Sequence, residues 1–149
     1  MKIAIGSDER THLTDMLIEE LQKRGYDLIL FGQLAVDDPD VDWPQTSSKV
    51  AKAVAQGVAD EGIVCCWTGT GAAIAANKVP GIRAALCHDA ETARGARIWN
   101  HANVLALSLR ATPEGIAKEI LDAWFATPYS EDEWNRQQIE RIRQLEARH

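Results

Sequence analysis

The chain has 149 residues, 46% hydrophobic and 26% charged, with a formal net charge of −6. That length and balance suit one domain with one core. They exclude a general nucleic-acid surface, since no basic patch stands outside the C-terminal stretch, and no apolar run approaches the roughly 20 residues that cross a bilayer.

Strand and helix signals alternate along the chain. Lys2 to Gly6 reads as a strand from the outset, without the apolar region of a secretory signal, which argues for a cytoplasmic protein. Ser7-Asp8-Glu9-Arg10 is a polar loop. Leu13, Met16, Leu17 and Leu21 recur at helical spacing, and the helix stops at Gly25. Tyr26 to Phe31 is the second strand. Gly32 to Pro44 is a loop too polar for core, with Asp37, Asp38 and Asp40 as solubilising charges. Gln45 to Val58 is a helix with Val50, Val54 and Val58 on one stripe. Gly62 to Cys66 is an apolar third strand. Trp67-Thr68-Gly69-Thr70-Gly71 follows, and a small-residue helix, Ala72 to Lys78, comes next.

Ile82 to Cys87 is the fourth strand, and Ala90 to Ile98 a helix with Asp89 as its N-cap. Ala102 to Leu107 is the fifth. Thr112-Pro113-Glu114 opens a helix to about Phe125, with proline at its tolerated first position. Trp124 falls on the apolar stripe of that helix and is expected in the core. Glu131 to Arg148 is a charged helix whose apolar positions, Trp134, Ile139, Ile142 and Leu145, are too sparse for a core helix. It is expected to pack across a partner subunit, with residues 130–149 as a dimerisation helix of a single domain. His12 and His149 read as surface residues.

Five such alternations with short links predict a three-layer α/β fold with a five-stranded parallel sheet. Ligands in such sheets bind outside the carboxyl ends of the strands. One site is therefore expected to gather the loops at Ser7 to Arg10, Asp42-Trp43-Pro44, Cys66 to Gly71, His88-Asp89 and Ser108 to Arg110. A strand that turns through glycines into a helix aims several backbone N–H groups at one spot, which favours an anion. Cys66, at the last strand position, sets a titratable thiol beside that spot. Cys65 and Cys66 point to opposite sheet faces, and the cysteine count of three is odd, so disulfides and a zinc site are poor readings. Cys65 and Cys87 read as small core residues.

These residues carry a resemblance. Asp42-Trp43-Pro44, Cys66 to Gly71, Ile74-Ala75-Ala76-Asn77-Lys78, Pro80-Gly81-Ile82-Arg83-Ala84-Ala85, and Asn100 with Asn103-Val104-Leu105-Ala106 resemble the ribose-5-phosphate isomerase B / galactose-6-phosphate isomerase family. The resemblance covers nearly the whole chain in order. It implies a cofactor-free, metal-free aldose–ketose isomerase of Rossmann-like fold that acts on a sugar phosphate through an enediolate. It also implies a homodimer or homotetramer with active sites at the subunit interface. By that resemblance Cys66 is the base and Thr68 the hydroxyl that assists it. Gly69, Thr70 and Gly71 form the oxyanion loop, Asp8 and Asn100 bind sugar hydroxyls, and Arg110 serves the phosphate.

The chain departs from the family pattern at four places. Glu9 stands where the family has histidine, and Trp67 where it has glycine. Trp99 replaces the histidine that assists ring opening, and Glu133-Trp134 replaces an Arg-His pair, leaving Arg136 or Arg141 as substitutes. An indole N–H donates only and cannot act as a base. Either His88 or His101 takes over the proton shuttle, or the substrate arrives open-chain, as a tetrose 4-phosphate does because its O4 is esterified. Trp67 and Trp99 are expected to share an aromatic wall of the pocket. Two other readings stay open: a non-catalytic sugar-phosphate-binding homologue, and an isomerase of non-phosphorylated sugars.

Overall fold

The structure, a computed structural model, describes residues 1–148, and His149 lies outside them. The described elements are β1 (Lys2–Ser7), α1 (His12–Lys23), β2 (Asp27–Gly32), α2 (Trp43–Ala55), β3 (Glu61–Cys66), α3 (Thr70–Ala76), β4 (Ala84–Leu86), α4 (Ala90–Asn100), β5 (Val104–Ser108), α5 (Glu114–Ala126) and α6 (Glu133–Ala147). The strands form one parallel sheet in the order β2-β1-β3-β5-β4. The expected three-layer architecture is present. Among the described residues no helix is long and apolar enough to cross a membrane.

Alternation along each strand sorts the core into two layers. Ile3, Ile5, Ile63, Cys65, Leu105 and Leu107 face α1, α4 and α5, meeting Leu17, Leu21, Ala93, Ile120, Leu121 and Trp124. Ala4, Val64, Cys66, Val104 and Ala106 face α2 and α3. This second layer is built of small side chains, and it is thin. A Cβ on Gly62 would stand 2.7 Å from Val50, so α2 lies closer to the sheet than any larger residue allows.

Several boundaries differ from expectation for local reasons. α2 starts at Trp43, earlier than predicted, because the Asp42 carboxylate accepts from the Gln45 amide at 2.8 Å and Pro44 sits in the first turn. It ends at Ala55, followed by Gly57 with φ of +75°, so Val58 falls off the stripe and is exposed. The polar loop before α2 buries Leu34. Asp38 is no solubiliser there: it accepts from the Gly32 and Asp40 amides and from Lys49, which holds its carboxyl down at about 2. Pro113 is the N-cap of α5 rather than its first residue.

β4 is shorter than predicted because two asparagines take over the backbone before it. The Asn77 side chain donates to Ala84 O at 2.9 Å and accepts from Ala84 N at 2.8 Å. Asn103 does the same work for Arg83 N and Gly81 O. The motif from Ile74 to Ala85 is thus a clamped turn onto the outermost strand. α6 docks on its own chain through Ile139 and Asn135, both buried, while Trp134, Ile142 and Leu145 remain exposed.

Candidate active site

Strand order reverses direction between β1 and β3, so the crevice lies where their following loops part. Ser7 is in register with Cys65 across that pair. The loop after β1 therefore carries Asp8 and Glu9 beside the loop after β3. Ser7 ties its own loop down, donating to Glu9 O at 2.6 Å and accepting from Glu9 N at 3.2 Å. This leaves the Glu9 side chain exposed. Asp8 is half-buried, and its Oδ1 has no hydrogen-bond partner. Burial raises its carboxyl above the ordinary 3.8, and the charges of Glu9 and Asp42 add to the rise against a backbone hydrogen bond that lowers it. A buried acceptor left empty is suited to a ligand hydroxyl.

Cys66 ends β3 and is 5% exposed, packed with Ala72 and Ala76 in the thin layer. Cys65 and Cys87 lie in the thick layer, where burial pushes both thiols up to about 12. They are core residues, as expected. Gly69 has φ of +78°, and a Cβ there would stand 2.9 Å from the Leu107 carbonyl carbon and 3.0 Å from the Ser108 amide. Only glycine permits this close passage of one strand's loop over its neighbour. The loop after β5 fastens it further. Leu109 N donates to Cys66 O, Arg110 N to Trp67 O and Ser108 Oγ to Trp67 O, each at 3.0 Å. Arg110 is thereby set beside the glycine loop.

The amides of Thr70 and Gly71 open α3, and no side chain caps that end, so they stay available to a ligand oxygen. Thr68 and Thr70 share a hydrogen bond between their hydroxyls at 2.8 Å. Trp67 is 56% exposed beside them. Trp43 packs its ring against Gly71, where a Cβ would meet it at 3.0 Å. Asp42-Trp43-Pro44 thus lies at this end as expected, and the contact of its ring with Gly71 is what the structure adds. His88 also lies at this end, exposed, 3.5 Å from Asp89.

Trp99, Asn100, His101 and Arg136 are not in this group. α4 runs back against the strands, so its end lies by the start of β5, where Val104 pairs with Gly62 and Ala84. Cys66 pairs with Ser108, four residues further, a span on the order of 13 Å at ~3.3 Å per residue. Within one protomer Trp67 and Trp99 therefore lie toward opposite ends of the strands. Trp99 and Asn100 instead line clefts against α6 with Trp134, Gln138 and Arg141. Arg136 is exposed on α6, 3.6 Å from Glu131.

This second group is held by a buried network that the sequence reading missed. The Arg97 guanidinium lies between the rings of Trp124, at 4.9 Å, and Tyr129, at 4.6 Å. It donates to Ala102 O, Tyr129 Oη and Glu61 Oε2. Trp124, fully buried, donates its N–H to the other Glu61 oxygen at 2.7 Å. His101 is stacked on Tyr129 and its Nε2 lies 2.8 Å from Ser130 O. Among the described residues His101 is the non-glycine residue with positive φ, at 49°. It is a helix stop held in place by stacking, remote from its own chain's glycine loop.

The chain is thus a parallel α/β sheet with a thiol and uncapped loop amides at its switch point. The family model described as Ribose/Galactose Isomerase matches residues 3–144, and the chain belongs to that family. It is 39% identical over 148 residues to ribose-5-phosphate isomerase B of Escherichia coli (strain K12), covering 99% of this chain and 97% of that one. It is 38% identical over 125 residues to D-erythrulose-4-phosphate isomerase of Pectobacterium atrosepticum, covering 83% and 82%. Ribose-5-phosphate isomerase B of Clostridium thermocellum superposes with a TM-score of 0.90 at 41% identity, covering 99% of both chains.

Proposed function

We propose that the chain is a cofactor-free aldose–ketose isomerase of sugar phosphates, acting in the cytoplasm as a homodimer or homotetramer. The observation that carries this reading is Cys66 ending β3 directly before a glycine loop whose amides are uncapped, at the switch point of the sheet. The isomerase names of its relatives agree with it. The Cys66 thiolate takes the proton from C2 of the aldose, or from C1 of the ketose. The electron pair moves into an enediolate, and the amides of Thr70 and Gly71 hold its oxygen. A second proton passes between the oxygens of the two carbons, and returning the first to the other carbon completes the isomerisation. Thr68 serves this proton traffic, Asp8 accepts from sugar hydroxyls, and Arg110 meets the phosphate.

Trp99 and Asn100 reach the site from a second copy, because their own glycine loop is at the far end of the strands. The phosphate then meets Arg110 of one protomer and Arg136 or Arg141 of the other. The test is proton exchange in deuterated water, followed by NMR, over tetrose, pentose and hexose phosphates. Wild type is expected to exchange the C2 proton of at least one. Cys66→Ala and Cys66→Ser should bind that sugar and lose the exchange. Exchange that survives in both variants rules out Cys66 as base.

A further inference from the structure

Hydroxyls elsewhere in this chain donate to backbone carbonyls: Thr14 to Thr11 O, Thr46 to Asp40 O, Ser108 to Trp67 O and Thr127 to Ala123 O. Thr68 and Thr70 do otherwise. Their oxygens stand 2.8 Å apart, and among the described residues theirs is the one hydrogen bond that joins two hydroxyls. Both residues are exposed, so the pair fills no core, and it caps nothing, since α3 begins without a side-chain cap. Water would serve either hydroxyl as well, which makes the bond a poor stabiliser. The backbone that carries the pair is nonetheless fixed. Trp67 O, just before Thr68, accepts from Arg110 N and Ser108 Oγ. Gly69, between the two threonines, lies close against Leu107 and Ser108, and its carbonyl accepts from Ala73 N at 3.1 Å.

We propose that the Thr70 side chain is a further catalytic group, and that its hydroxyl and that of Thr68 form a relay carrying the second proton of the isomerisation between the two substrate oxygens. The proposal rests on the isomerase reading above. Once Cys66 has taken the proton of C2, the enediolate charge sits on O1. For a ketose to form, O1 must gain a proton and O2 must lose one. A hydroxyl gives one proton and accepts at two lone pairs, so each threonine can give and take in one event. Thr68 gives its proton to O1 and takes that of Thr70, which takes the proton of O2. Three O–H bonds break and three form, and both threonines end as neutral hydroxyls. The charge, now on O2, becomes the ketose carbonyl as C1 receives the proton from Cys66. Either oxygen of the pair can be the donor, as a relay that runs in both directions requires. The two oxygens of a cis enediolate lie about as far apart as two hydrogen-bonded hydroxyls, so the pair matches them without a move of the backbone.

The test compares wild type, Thr70→Val, Thr70→Ala and Thr70→Ser by NMR in deuterated water, with erythrose 4-phosphate, ribose 5-phosphate and galactose 6-phosphate as probes. The readout is the deuterium gained at C2 of the recovered aldose, divided by the ketose formed. Without the relay the enediolate still forms but resolves slowly, and Cys66 returns solvent deuterium to C2. Thr70→Val and Thr70→Ala are expected to form ketose roughly 10²-fold more slowly, the lower end of what a positioned acid–base group supplies, and to raise the ratio about tenfold or more. Thr70→Ser keeps the hydroxyl and should keep both the rate and the ratio of wild type. A change of shape alone would slow exchange and ketose formation together. An unchanged ratio in Thr70→Val and Thr70→Ala, or a Thr70→Ser variant as impaired as they are, overturns the relay. Absence of exchange by wild type with all three sugars would overturn the isomerase reading and the relay with it, whereas an unchanged ratio removes the relay alone.

Discussion

Asp8 shows how a single side chain can be suited to a ligand and unsuited to the empty fold. Its Oδ1 is buried without a partner, and burial with the charges of Glu9 and Asp42 holds its carboxyl above 3.8. A carboxyl whose folded value is raised binds its proton more tightly folded than unfolded. It therefore costs stability as pH rises through the folded value, and costs nothing below the unfolded one. Asp8→Asn is expected to raise the melting temperature at pH 7 and to lower kcat/KM. The gain in melting temperature should shrink as pH falls toward 3.8, which thermal melts across that range would check. A variant that melts lower at pH 7 would contradict it. Cys66, Gly69 and Gly71 were legible in the sequence because a strand ending in cysteine and a glycine loop states its own geometry. The contacts of the Trp43 ring on Gly71 and of the Trp99 ring on Gly95 were not, because no pattern read one element at a time contains them.

Among the elements, α4 carries the most consequence for its length. Its alternation and its Asp89 cap were readable, and so were the five strands and their order of appearance. The sheet order, with β5 inside and β4 outermost, was not, since nothing local in either strand states its neighbour. That order places the end of α4 away from its own glycine loop. The buried Arg97–Glu61 pair joins α4 to the start of β3, and both side chains are almost enclosed. Glu61 is held above 4.5 chiefly by burial, with Arg97 pulling the other way. Removing the guanidinium in Arg97→Met strands the carboxylate, a loss of about 3–5 kcal/mol for a pair of this kind. The loss should be greatest at high pH and ease as pH falls and Glu61 takes up a proton, while the double variant Glu61→Gln, Arg97→Met should recover most of it. Equal losses at all pH values would show that packing between Trp124 and Tyr129, and not charge, is what Arg97 supplies.

At the scale of the whole molecule the two groups of site residues face opposite ends of the sheet. If two copies complete each other, then Cys66→Ala and Asn100→Ala, each inactive alone, should regain activity when denatured and refolded together. Each mixed dimer would hold one site with both residues intact. Persistent inactivity of the mixture, with mixed dimers shown by mass spectrometry, would mean that the groups do not meet. The way copies can meet is constrained by the Asn77 clamp. Its amide occupies both backbone groups of Ala84 on the outward side of β4, so a side chain stands where another strand would lie. The sheet is thereby closed at that margin to lengthening by a neighbouring chain, which removes a route to fibre-like stacking. On this side of the molecule a second copy would meet helix surfaces, where Trp99, Trp134, Ile142 and Leu145 are exposed, and a helix-borne contact can close on itself as a finite assembly instead of growing without end.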